Sequence, residues 1–202
     1  RMTNKTGKIT NMTYAQTQEC TIDAGNNIDK YNLPSEDEVL RIDHLTAELL
    51  ADNGYSQYEI SNYSKPGYEC KHNLVYWKRG EYRGYGLGAA SLIYLDDGRQ
   101  LRFSAERRLT DYYDACDKPL SKRHKAEEYS LLDAAEIEFE HIMLALRLNE
   151  GLDVAAFGDT FGDFRTKYAK INDKFVYDGL TEFYVAAGKE YYRLTRRGRE
   201  VA

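Results

Sequence analysis

The sequence is poor in the residues that build metal clusters and cross-linked folds. Its three cysteines, Cys20, Cys70 and Cys116, lie about fifty residues apart and form no C-x-x-C pair. An odd and widely spaced set argues against a disulfide framework and favours a reducing, cytoplasmic setting. The same spacing excludes an iron–sulfur cluster or a structural zinc site built from local sequence.

Long apolar runs and an excess of positive charge are also missing. No apolar run approaches the roughly 18 residues that a membrane-spanning helix requires, and residues 1–16 lack the hydrophobic region of a signal peptide. The net charge of -5 disfavours a surface that coats nucleic acid, although it leaves a local basic patch open. With 42% hydrophobic and 30% charged residues, the composition is typical of a globular chain.

The first half alternates helix, strand and turn signals. Residues 1–32 show no sustained period. Ser35 and Glu38 form a capping-box pattern that starts an amphipathic helix, which we expect to end near Asn53-Gly54. Its apolar face consists of Val39, Ile42, Leu45, Leu49 and Leu50. Strands are predicted over residues 58–63, 82–93 and 100–104, with turns at 65–67 and 95–99 and a short helix over 109–116.

The second half is mainly helical. We expect a long helix over residues 129–148, shorter helices over 154–157 and 164–174, and two strands, 182–185 and 191–194, about a turn at Gly188. Helices followed by a hairpin predict a winged-helix-like domain. The charge-dense residues 118–128 read as a linker, so the predicted parts are 1–32, 33–117, 118–128 and 129–202.

The most chemically capable stretch is residues 58–91, which contain the single tryptophan. Within it, H-N-L-V-Y-W occupies residues 72–77, on a loop or a short helix. His72 can offer a neutral imidazole to a metal, and Tyr76 and Trp77 suit a planar aromatic ligand. Lys78, Arg79 and Arg83 could pair with carboxylates such as porphyrin propionates. A histidine packed among core aromatics is the alternative.

Three closely spaced glycines, Gly84, Gly86 and Gly88, superficially suggest a dinucleotide fingerprint. The fingerprint needs an apolar strand before it and a helix after it, and neither is predicted here. We therefore expect a strand whose glycines let a ligand or another backbone come close, or a structural bulge. The basic C-terminal residues could contact phosphate or simply be solvated: Lys189, Arg193, Arg196, Arg197 and Arg199.

Several of these segments together resemble one family. They are Y-E-I-S-N-Y at 58–63, K-P-G-Y-E-C at 65–70, H-N at 72–73, Y-W at 76–77 and G-Y-G-L-G-A at 84–89. In this order they resemble the radical SAM haem chaperones, also named oxygen-independent coproporphyrinogen III oxidase-like proteins. The resemblance runs from about Leu33 to the end and is weaker over 144–151 and 192–198.

The resemblance implies a fold and a ligand set. The family binds a [4Fe–4S] cluster and S-adenosylmethionine through an N-terminal C-x-x-x-C-x-x-C motif, which is missing here. We therefore expect a C-terminal fragment of α+β class: part of a partial α/β barrel with an antiparallel sheet extension, then a mostly helical, winged-helix-like domain. An open edge of the barrel sheet would favour homodimerisation.

The resemblance also assigns site residues. His72, Asn73, Tyr76 and Trp77, with Arg79 close by, carry the haem-associated motif, and His72 is the candidate iron ligand. Glu59, Ser61 and Asn62, with the three glycines, would line the barrel interior near S-adenosylmethionine. Ala90 and Ala105 depart from the family pattern, which has histidine and asparagine there in many relatives.

Three functions follow in order of preference. The first is the C-terminal part of a haem chaperone, binding haem and passing it to an unidentified acceptor protein. On its own this fragment is expected to be inactive in radical chemistry, which leaves open whether it is part of an enzyme. The second is an oxygen-independent coproporphyrinogen III oxidase with a tetrapyrrole pocket, and a distant third is a winged-helix nucleic-acid reader.

Overall fold

The computed structural model describes residues 2–3, 9–10, 34–118 and 129–202. The predicted linker therefore lies outside the described residues except for Lys118, as does most of the predicted segment 1–32. The chain divides into two compact units, residues 1–46 and 47–202. In the first unit, β1 (Met2–Thr3) pairs antiparallel with β2 (Ile9–Thr10).

Helix α1 (Glu36–Asp52) begins and ends where the capping signals predict. The Ser35 amide donates to Glu38 Oε2 at 2.8 Å, and the Glu38 amide donates to Ser35 Oγ at 3.3 Å. Gly54 terminates the helix with a φ of 78°, as a C-terminal glycine does. The apolar face is about half exposed at Val39, Ile42, Leu45 and Leu49.

Residues 56–64 form a tight hairpin and not the strand predicted over 58–63. Only β3 (Ser56–Gln57) and β4 (Tyr63–Ser64) pair, antiparallel. Between them the chain reverses around the Glu59 carboxylate, which accepts hydrogen bonds from the backbone of Ser61 and the side chain of Asn62. These local bonds replace strand pairing.

The predicted turn at 65–67 is confirmed, since the Tyr68 amide donates to the Lys65 carbonyl at 3.0 Å. Helix α2 (Lys71–Trp77) follows and places the H-N-L-V-Y-W segment on a short helix. The prediction of one strand over 82–93 is wrong for residues 83–89. Tyr82 forms an isolated bridge to Leu92, and a loop containing the three glycines precedes β5 (Ala90–Tyr94).

A three-stranded antiparallel sheet contains β5, β6 (Gln100–Ser104) and β7 (Tyr129–Leu131), in that order. The predicted hairpin over 95–99 joins β5 to β6, and α3 (Leu109–Cys116) confirms the predicted short helix. The long helix predicted over 129–148 is shorter, because residues 129–131 are paired as β7. Asp133 and Glu136 form a capping box that sets the start of α4 (Ala134–Ala145).

The remaining elements are an antiparallel sheet of order β8-β10-β9 and the helices that accompany it. They are β8 (Leu152–Asp153), α5 (Val154–Phe161), α6 (Phe164–Lys167), α7 (Ala169–Tyr177), β9 (Thr181–Ala186), β10 (Lys189–Leu194) and α8 (Arg196–Glu200). The predicted β9–β10 hairpin is confirmed, whereas β8 and α8 were not predicted. Phe157, Phe164, Leu152 and Tyr192 form the core of this part, each no more than 2% exposed.

The architecture is α+β with antiparallel sheets. In the described ranges every strand pair is antiparallel and the sheets do not close into a barrel. None of the described helices is long and apolar enough to cross a membrane.

The capping box of α4 gives a stability prediction. Asp133→Ala removes the acceptor for the Glu136 amide, 2.8 Å away, and we expect a loss of about 1 kcal/mol in the free energy of unfolding, measured by urea denaturation. The matched control is Asp173→Ala, which removes an exposed aspartate inside α7 and should change that free energy by less than about 0.5 kcal/mol. Equal effects of the two substitutions would contradict the capping role.

Candidate functional site

Helix α2 presents an exposed histidine near its first turn. Cys70 precedes the helix, is exposed and makes no side-chain capping bond. The His72 ring meets the Tyr76 ring edge-on at 4.8 Å, and the Tyr76 hydroxyl lies 3.0 Å from His72 Nε2. Tyr76 in turn contacts the Tyr82 ring at 4.6 Å. His72 is therefore an accessible imidazole held by one hydrogen bond, and the alternative of a packed core histidine does not apply.

The other residues of the motif face inward to different degrees. Asn73 and Trp77 are half-buried. The Arg147 guanidinium lies 5.7 Å from the Trp77 ring centroid, a cation–π distance. Trp77 Nε1 is buried and has no hydrogen-bond partner among the described residues. The motif thus has an exposed end at His72 and an anchored end at Trp77.

Arg79 departs from the sequence expectation. We expected it to face a ligand carboxylate together with Lys78 and Arg83, which are indeed exposed. The Arg79 side chain is instead only 4% exposed, and its Nε lies 3.1 Å from Glu140 Oε2. It also donates to the side chain of Gln100. A protein carboxylate therefore already neutralises this guanidinium.

Glu140 lies between two arginines. Besides Arg79, it accepts from Arg102 Nη1 at 2.5 Å and Arg102 Nη2 at 2.8 Å. Burial raises the pKa of the Glu140 carboxyl, but the hydrogen bonds and charges of Arg102 and Arg79 outweigh burial and lower the pKa below its usual range. The hydrogen bond to Glu140 correspondingly raises the pKa of Arg102. The three side chains join α2, β6 and α4.

The predicted residues Glu59, Ser61 and Asn62 do come together. Glu59 is 1% exposed and its carboxylate accepts from the Ser61 amide at 3.2 Å and from the Asn62 amide group. The loop docks on the end of α4, since the Ile60 amide donates to the Arg147 carbonyl at 3.0 Å and the Asn149 amide to the Tyr58 carbonyl at 3.1 Å. These contacts make the loop a structural joint.

The loop that contains the three glycines lies on the face of the β5–β6–β7 sheet that points away from α2. A Cβ on Gly84 would lie 2.3 Å from the Ala90 carbonyl oxygen, so what approaches this glycine is backbone. Gly86 and Gly88 adopt φ values of 111° and 64°, and a Cβ on Gly86 would meet nothing within 4 Å. Gly84 and Gly86 border an apolar cavity of about 360 Å³ whose other walls include Ile93, Leu101, Phe103 and Tyr129.

The sheet separates this cavity from α2. Successive side chains of a strand point to opposite faces. Leu101 and Phe103 line the cavity, whereas Gln100 and Arg102 contact Arg79 and Glu140. The predicted site residues therefore form three groups and not one pocket: the α2 motif, the Glu59 loop and the glycine loop.

Sequence reasoning missed Glu140 and Arg147. His141 borders a cleft of about 280 Å³ together with Trp77 and Arg79. Burial, and secondarily the charge of Arg79, lower the pKa of His141. A pairing 61 residues apart, such as Arg79 with Glu140, leaves no local spacing signal. Within the described ranges, no group of three or more His, Cys, Asp or Glu side chains is placed to hold a metal ion.

Gly84 and Gly158 provide opposite predictions for the same substitution. Gly84→Ala forces a Cβ against backbone and should lower the free energy of unfolding by about 2 kcal/mol. Gly158→Ala, inside α5 with nothing within 4 Å, should raise it by about 0.5 kcal/mol. Urea denaturation of both variants tests this, and a Gly84→Ala protein as stable as the wild type would refute the close approach.

The lowered pKa of Glu140 predicts a pH dependence. The unfolded carboxyl takes up a proton near its ordinary pKa of 4.5 before the folded one does. The stabilisation is therefore present above that value and is lost as the pH falls through the lower folded pKa. Between about pH 6 and pH 3, the free energy of unfolding should fall more steeply for the wild type than for Glu140→Gln. Parallel curves in denaturant titrations would show that Glu140 contributes nothing to this dependence.

Residues 132–201 match the model of the HemN C-terminal domain. The chain is 30% identical over 167 residues to the "Heme chaperone HemW" of Escherichia coli (strain K12), covering 83% of this chain and 41% of that protein. It is 36% identical over 152 residues to the protein of the same name from Lactococcus lactis subsp. lactis (strain IL1403), covering 72% and 38%.

A solved structure shares the fold. It is titled "Coproporphyrinogen III oxidase (HemN) from Escherichia coli is a Radical SAM enzyme" and matches with a TM-score of 0.62 at 20% identity, covering 90% of this chain and 43% of that one. This chain spans about two fifths of the length of these relatives. From the family model and the sequence relatives, the chain belongs to the haem chaperone family, whose C-terminal portion it matches.

Proposed function

We propose that this chain binds haem at α2 and takes part in delivering it to an acceptor protein. The observation that carries the proposal is the exposed imidazole of His72. It lies within a sequence related to proteins named haem chaperones. A neutral imidazole is a common ligand of haem iron.

The surroundings of His72 fit haem as a cargo. Because the Tyr76 hydroxyl engages Nε2, iron would bind Nδ1 or displace that hydroxyl. The Tyr76 and Tyr82 rings offer apolar surface beside the imidazole. Lys78, whose side chain is 58% exposed and 3.8 Å from Glu150, supplies a cation for a propionate, whereas Arg83 lines the cavity on the other face of the sheet. Because the His72 imidazole is exposed, an acceptor protein also has room to approach the haem.

An iron–sulfur cluster does not fit the residues described. Cys70 and Cys116 are exposed on separate helix ends, and neither belongs to a group of three potential ligands there. No step of the proposed function therefore runs through a cluster or S-adenosylmethionine. The chemistry assigned to this chain is binding and release.

The finer divisions of the fold belong to the same proposal. We assign residues 129–202 to a winged-helix-like domain, because helices are followed by the β9–β10 hairpin; β8 adds a strand to the predicted order, and β7 pairs with β6 of the preceding part. Residues 33–117 are assigned to the part of the family's barrel and sheet extension that precedes it. A cytoplasmic setting, suggested by cysteine usage, completes the proposal.

The two other hypotheses receive less support. Most of the basic C-terminal residues already have partners: Lys189 bonds Asp153, Arg193 bonds Glu182, Arg196 lies 3.6 Å from Glu200, and Arg199 donates to the Leu194 carbonyl. These pairings compensate much of the local positive charge, and the net charge of -5 also disfavours a nucleic-acid surface. Porphyrinogen oxidation is favoured by the HemN C-terminal family model and by a structural match at 20% identity, which reflects the fold.

Haemin titration followed in the Soret region tests the proposal. Wild-type protein should form a saturable complex, and His72→Ala should weaken it by about tenfold or more, since about 1.4 kcal/mol of ligation free energy corresponds to tenfold. His44→Ala, a substitution on α1, is the control and should leave the spectrum unchanged. Identical spectra for the wild type and His72→Ala would move the ligand away from α2.

A further inference from the structure

We propose that Glu140 is a positioning residue for the candidate haem helix. Through Arg79, it fixes where α2 lies and hence where His72 is presented. The inference rests on the proposed function in taking α2 as the helix that binds haem. Glu140 belongs to the segment that matches the C-terminal family domain, so the proposal gives that domain a role in shaping the haem site.

The connection begins in the backbone just after α2. Arg79 follows the helix with a φ of 53°, its amide donates to the Tyr76 carbonyl at 3.0 Å, and its carbonyl accepts from the Tyr94 hydroxyl at 2.5 Å. Glycine is the usual residue in this left-handed conformation at a helix end. A larger residue persists there when its surroundings determine the conformation. The buried pairing with Glu140 is such a determinant.

Among the described residues, none anchors the other end of α2 in a comparable way. Cys70 provides no side-chain cap, and Cys70, Lys71 and His72 are all exposed. His72 contacts Tyr76, which belongs to the same helix. The position of the imidazole therefore depends on how the C-terminal end of α2 is held.

Charge makes Glu140 the decisive member of this anchor. One carboxylate, 13% exposed, faces two guanidinium groups, and the Arg79 side chain is only 4% exposed. Removing the carboxylate leaves a buried cation unpaired and opposite a second cation, which is unfavourable. The relief available to Arg79 is to move toward solvent, and α2 is the element attached to it.

The single tryptophan allows a test that does not require haem. Trp77 is the last residue of α2, and its Nε1 is buried. In Glu140→Gln, acrylamide should quench Trp77 more strongly than in the wild type, and the emission should shift to the red. Haemin affinity should fall about tenfold if α2 is correctly placed in only about one molecule in ten. The control is Glu190→Gln, which removes the exposed pair with Arg165 and should change neither readout.

The outcomes separate positioning from the haem proposal. Wild-type quenching in Glu140→Gln overturns the inference, whatever the melting temperature. A more accessible Trp77 with unchanged haemin affinity overturns the link between the anchor and haem. If the wild type binds no haemin but Trp77 responds, the anchor is supported and the proposed function fails.

A double variant tests the charge mechanism. Replacing a buried ion pair by apolar residues often preserves stability. Arg79→Met with Glu140→Leu leaves no unpaired buried cation beneath α2, so it should melt near the wild-type temperature and restore both the wild-type quenching of Trp77 and the haemin affinity that Glu140→Gln loses. A folded double variant that binds haemin as weakly as Glu140→Gln would overturn the proposed charge mechanism.

Discussion

The Glu140 carboxylate is the interaction on which the described arrangement depends. It lies on α4, yet its two oxygens bond Arg79, two residues after the end of α2, and Arg102, on the central strand of the β5–β6–β7 sheet. Three elements that are distant in sequence thus share one buried charge. Since an unpaired buried charge is costly, the position of each element is tied to the positions of the other two.

A second joint works through backbone hydrogen bonds and not charge. The hairpin around Glu59 bonds to the chain just after α4 at Arg147 and Asn149, and the Arg147 guanidinium lies over Trp77. The end of α4 therefore holds both the hairpin and the last residue of α2. The hydrogen bonds that the Glu59 carboxylate accepts come from its own loop. This explains why its burial indicates a structural role more than a ligand contact.

What could be predicted from sequence was the part governed by short-range chemistry. Ser35 with Glu38, the Gly54 end, the turn at Pro66-Gly67 and the hairpin at Asp97-Gly98 were all correct because each requires only a few adjacent residues. Residues 129–131 were assigned to helix because apolar spacing continues into α4. Their pairing with β6 is a long-range contact that local sequence does not reveal. Arg79 was misplaced for the same reason, since its partner lies 61 residues away. The family motif identified α2 but could not show which of its residues face inward.

The geometry of α2 is consistent with the proposed role of a carrier. Tight ligand sites usually bury most of the ligand in a pocket, and affinity differences between related complexes lie mainly in the dissociation rate. His72 is exposed, and its hydrogen-bond partner Tyr76 is on the same helix. Rigidity is concentrated instead at the buried end, where Trp77 and Arg79 meet α4. In the proposed function, a firmly placed but exposed His72 would be reachable both by haem and by an acceptor protein, and this combination follows from anchoring the helix at one end only.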